Sequence, residues 1–264
     1  MIPYFFWNAI HIGPLTLQVW GLFVSVGALI ALIIAQKIGR THNLSKETIL
    51  DLFFWLLVSG LIVGRLFYVI FYNPLFFLQN PLEIFMVWHG GASSLGGWVG
   101  AGIAAYIYCK MHKLNLVNFL GYADVLALGL WAGWAIGRIG CFLIHDHIGV
   151  LSNSFLAVAY PGGARLDLGL SESILAAIIF IIFILLYKKI IHQPGRILAY
   201  SFMIYSAARF ALDFFRATDI EGFDVRYALL TPAQWGMLIL FGGLTIWLIR
   251  DKISQRKKIS GRVA

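Results

Sequence analysis

Three arginines, Arg65, Arg138 and Arg209, sit inside otherwise apolar runs of the 264-residue chain. A guanidinium at mid-helix depth in a bilayer costs about 2.5–3.5 kcal/mol on insertion scales, so three of them require a compensating role. Arg65 lies seven residues before Tyr72, and Arg138 and Arg209 each lie six before Ile144 and Phe215. At a rise of about 1.5 Å per residue, all three fall in one layer roughly 10 Å below one membrane face. A single such arginine is expected to snorkel to the headgroups or to neutralise an acidic neighbour. Three at one depth predict a shared cationic pocket for an anionic phosphate, because the forked donors of guanidinium match phosphate oxygens.

Other polar residues cluster at that depth. Tyr205, Arg209, Asp213 and Arg216 share one helical face, and Arg209–Asp213 at i, i+4 is a ready ion pair. In GRIGCFLIHDHIG (137–149), Arg138, Cys141 and His145 share a face, with Asp146 and His147 where the helix should stop. A histidine beside a carboxylate can take a proton near neutral pH. The alternatives are a metal held by His145, His147 and His89, for which His-x-His lacks the fuller ligand spacing, and histidines merely wetted by headgroups. In WHGGASSLGGWVGAG (88–102), Gly96 and Gly100 fit close helix packing. His89-Gly90-Gly91 lies in a loop where backbone can approach a ligand.

The elements that must carry these residues are membrane helices. The chain is 60% hydrophobic and 12% charged, well below the roughly 25% charged of soluble domains. The predicted fold class is all-α, a polytopic membrane protein of about seven spans: Leu15–Ile34, Leu50–Tyr72, Ser93–Met111, Val125–Ile144, Leu170–Tyr187, Ile197–Phe215 and Ala233–Ile249. Alternate loops place 14 of the 20 basic residues on one side, so the amino terminus is expected outside and the carboxyl terminus in the cytoplasm. The net charge of +8 therefore reports topology, and no nucleic-acid partner is expected. Cys109 and Cys141 are expected on opposite membrane sides and unable to pair. A single transmembrane domain spans 1–264, with 250–264 a basic cytoplasmic tail and 145–169 the longest and most mobile outer loop.

These segments resemble the prolipoprotein diacylglyceryl transferases of bacterial inner membranes. IHIGPLTLQVWGL (10–22), SGLIVGRLFYVIFYNP (59–74), WHGGASSLGG, GRIGCFLIHDHIG and YSAARFALDFFR (205–216) are similar to that family's motifs in order and spacing. The resemblance implies transfer of a diacylglyceryl group from phosphatidylglycerol to the lipobox cysteine of a prolipoprotein signal peptide, releasing glycerol phosphate, with no cofactor. It implies catalytic roles for Arg138 and Arg209, with His89, His145 and Asp146 as candidates for proton transfer. Arg65, Gly90, Gly91, Gly96, Gly97, Gly149, Glu172, Tyr205, Asp213, Arg216 and Gln234 are expected to bind substrate. Leu95 stands where many members carry a histidine and some a tyrosine, Cys141 where asparagine is common, and Asp213 where glutamate is usual. LSES (170–173) keeps Glu172 but lacks a tyrosine found in the family's corresponding element. The missing base implies relocation to His89 or to the His-Asp-His cluster. The competing expectations are a catalytically silent relative that binds anionic phospholipid and, more distantly, a lipid or anion transporter.

Overall fold

The computed structural model describes residues 1–13, 15–86, 90–220 and 225–260, with the side chains of residue 15 and of 255–260 outside that description. The chain is a mostly helical, multi-pass membrane protein. Among the described residues, six helices are long and apolar enough to cross a bilayer: α1 (Val19–Thr41), α2 (Lys46–Phe71), α5 (Leu116–Ile144), α6 (Leu168–Ile190), α7 (Arg196–Leu212) with the single turn that follows it, and α8 (Pro232–Ser260). Helices are the natural solution because hydrocarbon offers no partner to an unpaired backbone group. Their outward faces carry Leu29, Ile62, Leu185 and Ile239, each more than half exposed, as lipid contact requires. α4 (Ser94–Met111), eighteen glycine-rich residues, corresponds to the remaining expected span but is not among those six. α3 (Pro74–Gln79) is a short helix in the following loop.

Two boundaries differ from expectation. Leu15–Gln18 is strand β2, paired antiparallel with β1 (Ala9–Ile12), so the first helix begins only at Val19. α5 begins at Leu116, well before Val125, because the Asn115 side chain accepts the amide of Asn118 at 2.9 Å and caps a polar first turn. The basic tail is also helical as far as Ser260.

Glycines set the tightest helix contacts. A Cβ at Gly27 would lie 2.4 Å from the Gly133 carbonyl, and one at Gly129 would lie 2.2 Å from that of Ala31, so α1 and α5 touch backbone to backbone. On the cytoplasmic side predicted above, buried Asp124 accepts the amides of Gly195 at 2.7 Å and Leu198 at 2.8 Å, capping α7. Sequence reading missed that residue. The core joins Leu128 and Trp131 of α5 to Ile179 of α6 and Phe202 and Tyr205 of α7.

The segment 145–169 is not a featureless loop. It forms an antiparallel sheet in the order β3 (Ile148–Leu151), β5 (Gly163–Asp167), β4 (Val158–Tyr160). Ile2 extends this sheet beside Val158, and Arg216 bridges Gly149 at the opposite edge. Ala217 also donates to the Ile148 carbonyl at 3.1 Å. The end of α5, the start of α6 and the end of α7 are thereby tied together by one sheet.

Candidate active site

Those three helix ends carry the charges. Arg138, in the penultimate turns of α5, places Nη2 2.8 Å from Glu172 Oε2. Arg209, from α7, places Nε 3.0 Å from Glu172 Oε1, off the hydrogen-bond direction, so that contact is an ion pair without an aligned hydrogen bond. Arg209 Nη1 donates to Asp213 Oδ1 at 2.6 Å, and Arg216 Nε donates to the same oxygen at 2.8 Å. Thr231 donates its hydroxyl to Asp213 Oδ2. Tyr205 donates to Glu172 Oε2 at 3.4 Å. The charges alternate along one chain, Arg138, Glu172, Arg209, Asp213 and Arg216. Three guanidinium groups thus interleave with two carboxylates.

Burial gives these charges their weight. Glu172 is fully buried, Asp213 is 1% exposed, and Arg138 and Arg209 are nearly so. At an effective dielectric of about 20, one unit charge at 4 Å is worth about 4 kcal/mol, against about 1 kcal/mol in water. An anion reaching this cluster would meet its compensating charge already oriented. Arg138 also stacks over Trp134, 5.1 Å from the ring centre, and donates to Cys141 Sγ at 3.7 Å. Both cysteines are free thiols.

Arg65 does different work. Its guanidinium donates to five carbonyls: Ile84 at 3.1 Å, Glu83 at 2.5 Å, Met86 at 3.3 Å, Gly91 at 2.8 Å, and Gly90. It thereby gathers residues 83–86 and 90–91 about itself and has not joined the Arg138–Arg209 cluster. The shared pocket of three arginines is accordingly corrected to two, joined by Arg216. Gly90 and Gly91 adopt φ of 82° and 77°, a conformation glycine reaches freely. A Cβ at Gly91 would strike the Tyr68 ring at 2.5 Å, so these glycines wrap Arg65.

Several other residues expected to bind substrate make packing contacts, as does Leu95. Gly96 packs α4 on α2, where a Cβ would meet Phe67 Cβ at 2.3 Å, and Gly97 lies along the same contact beside Gly60. A Cβ at Gly149 would lie 2.8 and 2.9 Å from the carbonyl oxygens of Leu166 and Phe215. Gln234 accepts from the Thr231 amide at 3.0 Å and donates to the Phe210 carbonyl at 3.2 Å, fixing the start of α8 to α7. Leu95 packs on α8, with a Cβ at Gly236 only 2.2 Å from its Cδ1.

The histidines separate. His145 ends α5 in the left-handed conformation, φ 50°, and its Nδ1 lies 2.7 Å from Asp167 Oδ2. Tyr4, Phe5, Phe142 and Tyr160 surround the ring, which is 3% exposed. Asp167 also accepts from Tyr160 at 2.8 Å and from the Leu170 amide at 3.1 Å. His145 therefore anchors the helix end, with the Nδ1 of this candidate for proton transfer engaged by Asp167. Among the described residues the ligand atoms that lie within 4.8 Å of one another are those of Cys141, Asp146 and His147, and His145 is not in that group. His89 lies outside the described residues. Asp146 stays partly open, 35% exposed at its side chain, and burial by surrounding protein pushes its carboxyl up to about 6 against the pull of Arg138.

The fold and the site define a class: a multi-pass membrane protein with a buried, pre-oriented cationic cluster where three helix ends meet a small sheet. Comparison with known proteins narrows it. Residues 8–250 match the family described as prolipoprotein diacylglyceryl transferase, and the chain belongs to that family. Proteins named phosphatidylglycerol–prolipoprotein diacylglyceryl transferase are similar along its length. The one from Staphylococcus xylosus is 30% identical, covering 92% of this chain and 88% of that protein. The one from Staphylococcus saprophyticus is 29% identical over the same shares. A third, from Staphylococcus haemolyticus, is 37% identical over 56% of this chain and 52% of its own.

Proposed function

We propose that this chain transfers a diacylglyceryl group from phosphatidylglycerol to the lipobox cysteine of a prolipoprotein signal peptide, at the Arg138–Glu172–Arg209 cluster. The observation that carries this reading is the sharing of one buried carboxylate by guanidinium groups from two helices. In the reaction a thiolate displaces phosphate at the glycerol carbon. The C–O bond breaks, and its electron pair leaves on glycerol phosphate. Charge then builds on phosphate oxygens, where preorganised donors in a water-poor site are most effective. Arg138 and Arg209 serve the phosphate, Arg216 extends the cationic row, and Arg65 acts through the loop it folds. The protein is a single domain of the bacterial inner membrane, with α4 the seventh span, the amino terminus outside and the carboxyl terminus in the cytoplasm. The distribution of basic residues supports that orientation.

One observation favours a second reading, a silent relative that binds anionic phospholipid. Leu95 fills a family histidine position and is spent on packing against Gly236. Mass spectrometry of a lipobox peptide incubated with the purified protein and phosphatidylglycerol vesicles separates the two. A diacylglyceryl adduct with stoichiometric loss of lipid is expected, with no adduct from phosphatidylethanolamine vesicles. Bound but unconsumed phosphatidylglycerol would favour the silent relative.

A further inference from the structure

The inference here rests on the transfer reading above and concerns the base that reading leaves unassigned. We propose that Nε2 of His147 accepts the proton of the acceptor cysteine thiol.

The geometry selects the tautomer. His147 Nδ1 lies 2.8 Å from the Asp146 carbonyl oxygen. A carbonyl can only accept, so Nδ1 carries the proton and donates it, leaving the lone pair on Nε2. The ring is also fixed in place. The His147 carbonyl accepts from the Leu168 amide at 2.9 Å at the head of α6, and the next residue, Ile148, is bonded to Ala217 beyond α7. His147 is therefore tied to both helices that supply Glu172 and Arg209. Its side chain keeps 21% of its surface open, whereas the Nε2 of His145 is sealed in the aromatic cage.

The neighbours suit a neutral base. Cys141, Asp146 and His147 bring their polar atoms within 4.8 Å of one another. Arg138 from α5 and Arg209 and Arg216 from the end of α7 act on the ring from the other elements. Burial first, and then Arg216, Arg138 and Arg209, hold the imidazole well below its ordinary pKa. It is thus unprotonated across the neutral range, with its lone pair available. The same arginines stabilise the thiolate and the phosphate it displaces. In the step itself, the S–H bond breaks and its proton goes to Nε2. The sulfur pair forms the S–C bond, and the C–O pair departs on glycerol phosphate. The imidazolium then returns its proton to water.

Two pH–rate measurements on the whole purified protein, with a lipobox peptide and phosphatidylglycerol vesicles, test this. The wild-type rate should change less than threefold between pH 6 and 8. A tenfold rise per pH unit would mean that thiolate forms in solution, and it would overturn the assignment without any variant. His147→Gln should be slowed about 100-fold at pH 7, the scale of general-base catalysis. The deficit should shrink above pH 9, where a thiol of pKa near 8.5 ionises unaided. His147→Ala should regain rate with added imidazole, which a purely structural role would not allow. His147→Gln within threefold of wild type at pH 7 would overturn the proposal alone. An inert wild type would overturn the transfer reading, and this inference with it.

Discussion

Replacing Glu172 with glutamine isolates the electrostatics of the cluster, because the side chain keeps its volume and loses only its charge. In the wild type the carboxylate lies 2.8 Å from Arg138 and 3.0 Å from Arg209 and is fully buried. Glutamine offers one oxygen to one guanidinium and turns an amide donor toward the other. Breaking a buried pair by removing one partner costs about 3–5 kcal/mol, chiefly through the charge left uncompensated. The cluster becomes more positive by one unit charge. The melting temperature in detergent should fall by on the order of 10 °C, taking roughly 2–4 °C per kcal/mol for a chain of this size. An anion can replace the missing charge, at a Coulomb scale of about 4 kcal/mol per unit charge at 4 Å. Added phosphatidylglycerol should therefore raise the variant's melting temperature more than that of the wild type. Transfer should drop at least about 100-fold, because the guanidinium groups lose their common orienting partner. The assay is a pair of thermal melts with and without anionic lipid, alongside peptide lipidation. A melting temperature within 2 °C of wild type and no differential lipid effect would refute the claim that Glu172 holds the two arginines over an anion site.

Other perturbations follow from the same contacts. Arg65→Lys should increase proteolytic cutting at residues 83–86 and 90–91, because one ammonium with three donors cannot serve five carbonyls; unchanged cutting would contradict the loop-folding role. Gly96→Val should abolish stable expression, since its Cβ alone would lie 2.3 Å from Phe67 Cβ and 2.8 Å from the Val63 carbonyl; wild-type yield would disprove the close approach of α2 and α4. Asp146 gives a signed pH effect. Its folded pKa, about 6, lies above the ordinary 3.8, so its contribution favours folding below pH 3.8 and is lost as pH rises toward 6. Asp146→Asn should remove that component from a melting-temperature profile between pH 4 and 7, and an identical profile would exclude it. Asp219 has the opposite sign: Arg165, at 2.6 and 2.9 Å, holds its carboxyl low. The stability it adds is present above pH 3.8 and lost below, and Arg165→Ala should erase that acid-side loss.

How much of this could be read in the residues varied with the physics. The helices were legible because hydrocarbon demands long apolar runs, and residues such as Leu185 and Ile239 declare themselves by type alone. The Arg209–Asp213 pair was legible too, since i, i+4 spacing brings it together within one helix. The strands were not, because three to five residues each carry too little pattern against a background of apolar sequence. Helix starts failed where capping by Asn115 extended α5 through polar residues. Depth grouped Arg65 with Arg138 and Arg209, but depth says nothing of rotation about the bundle. Its backbone acceptors are tertiary and leave no sequence signal. Glu172 entered only through family resemblance, although a lone carboxylate inside an apolar run is itself a signal that a cation lies opposite. His145 and His147 could not be told apart, because the left-handed turn at His145 decides which ring enters the cage.

The central claim is that Arg138 and Arg209 act together on the phosphate of an anionic lipid. Side-by-side adduct formation by wild type, Arg138→Lys and Arg209→Lys, at saturating peptide and varied phosphatidylglycerol, tests it most directly. Lysine keeps the charge but loses the forked donors, so both variants should fold and fall in kcat/KM by at least about 100-fold. Adduct formation at the wild-type rate in either variant would contradict the account.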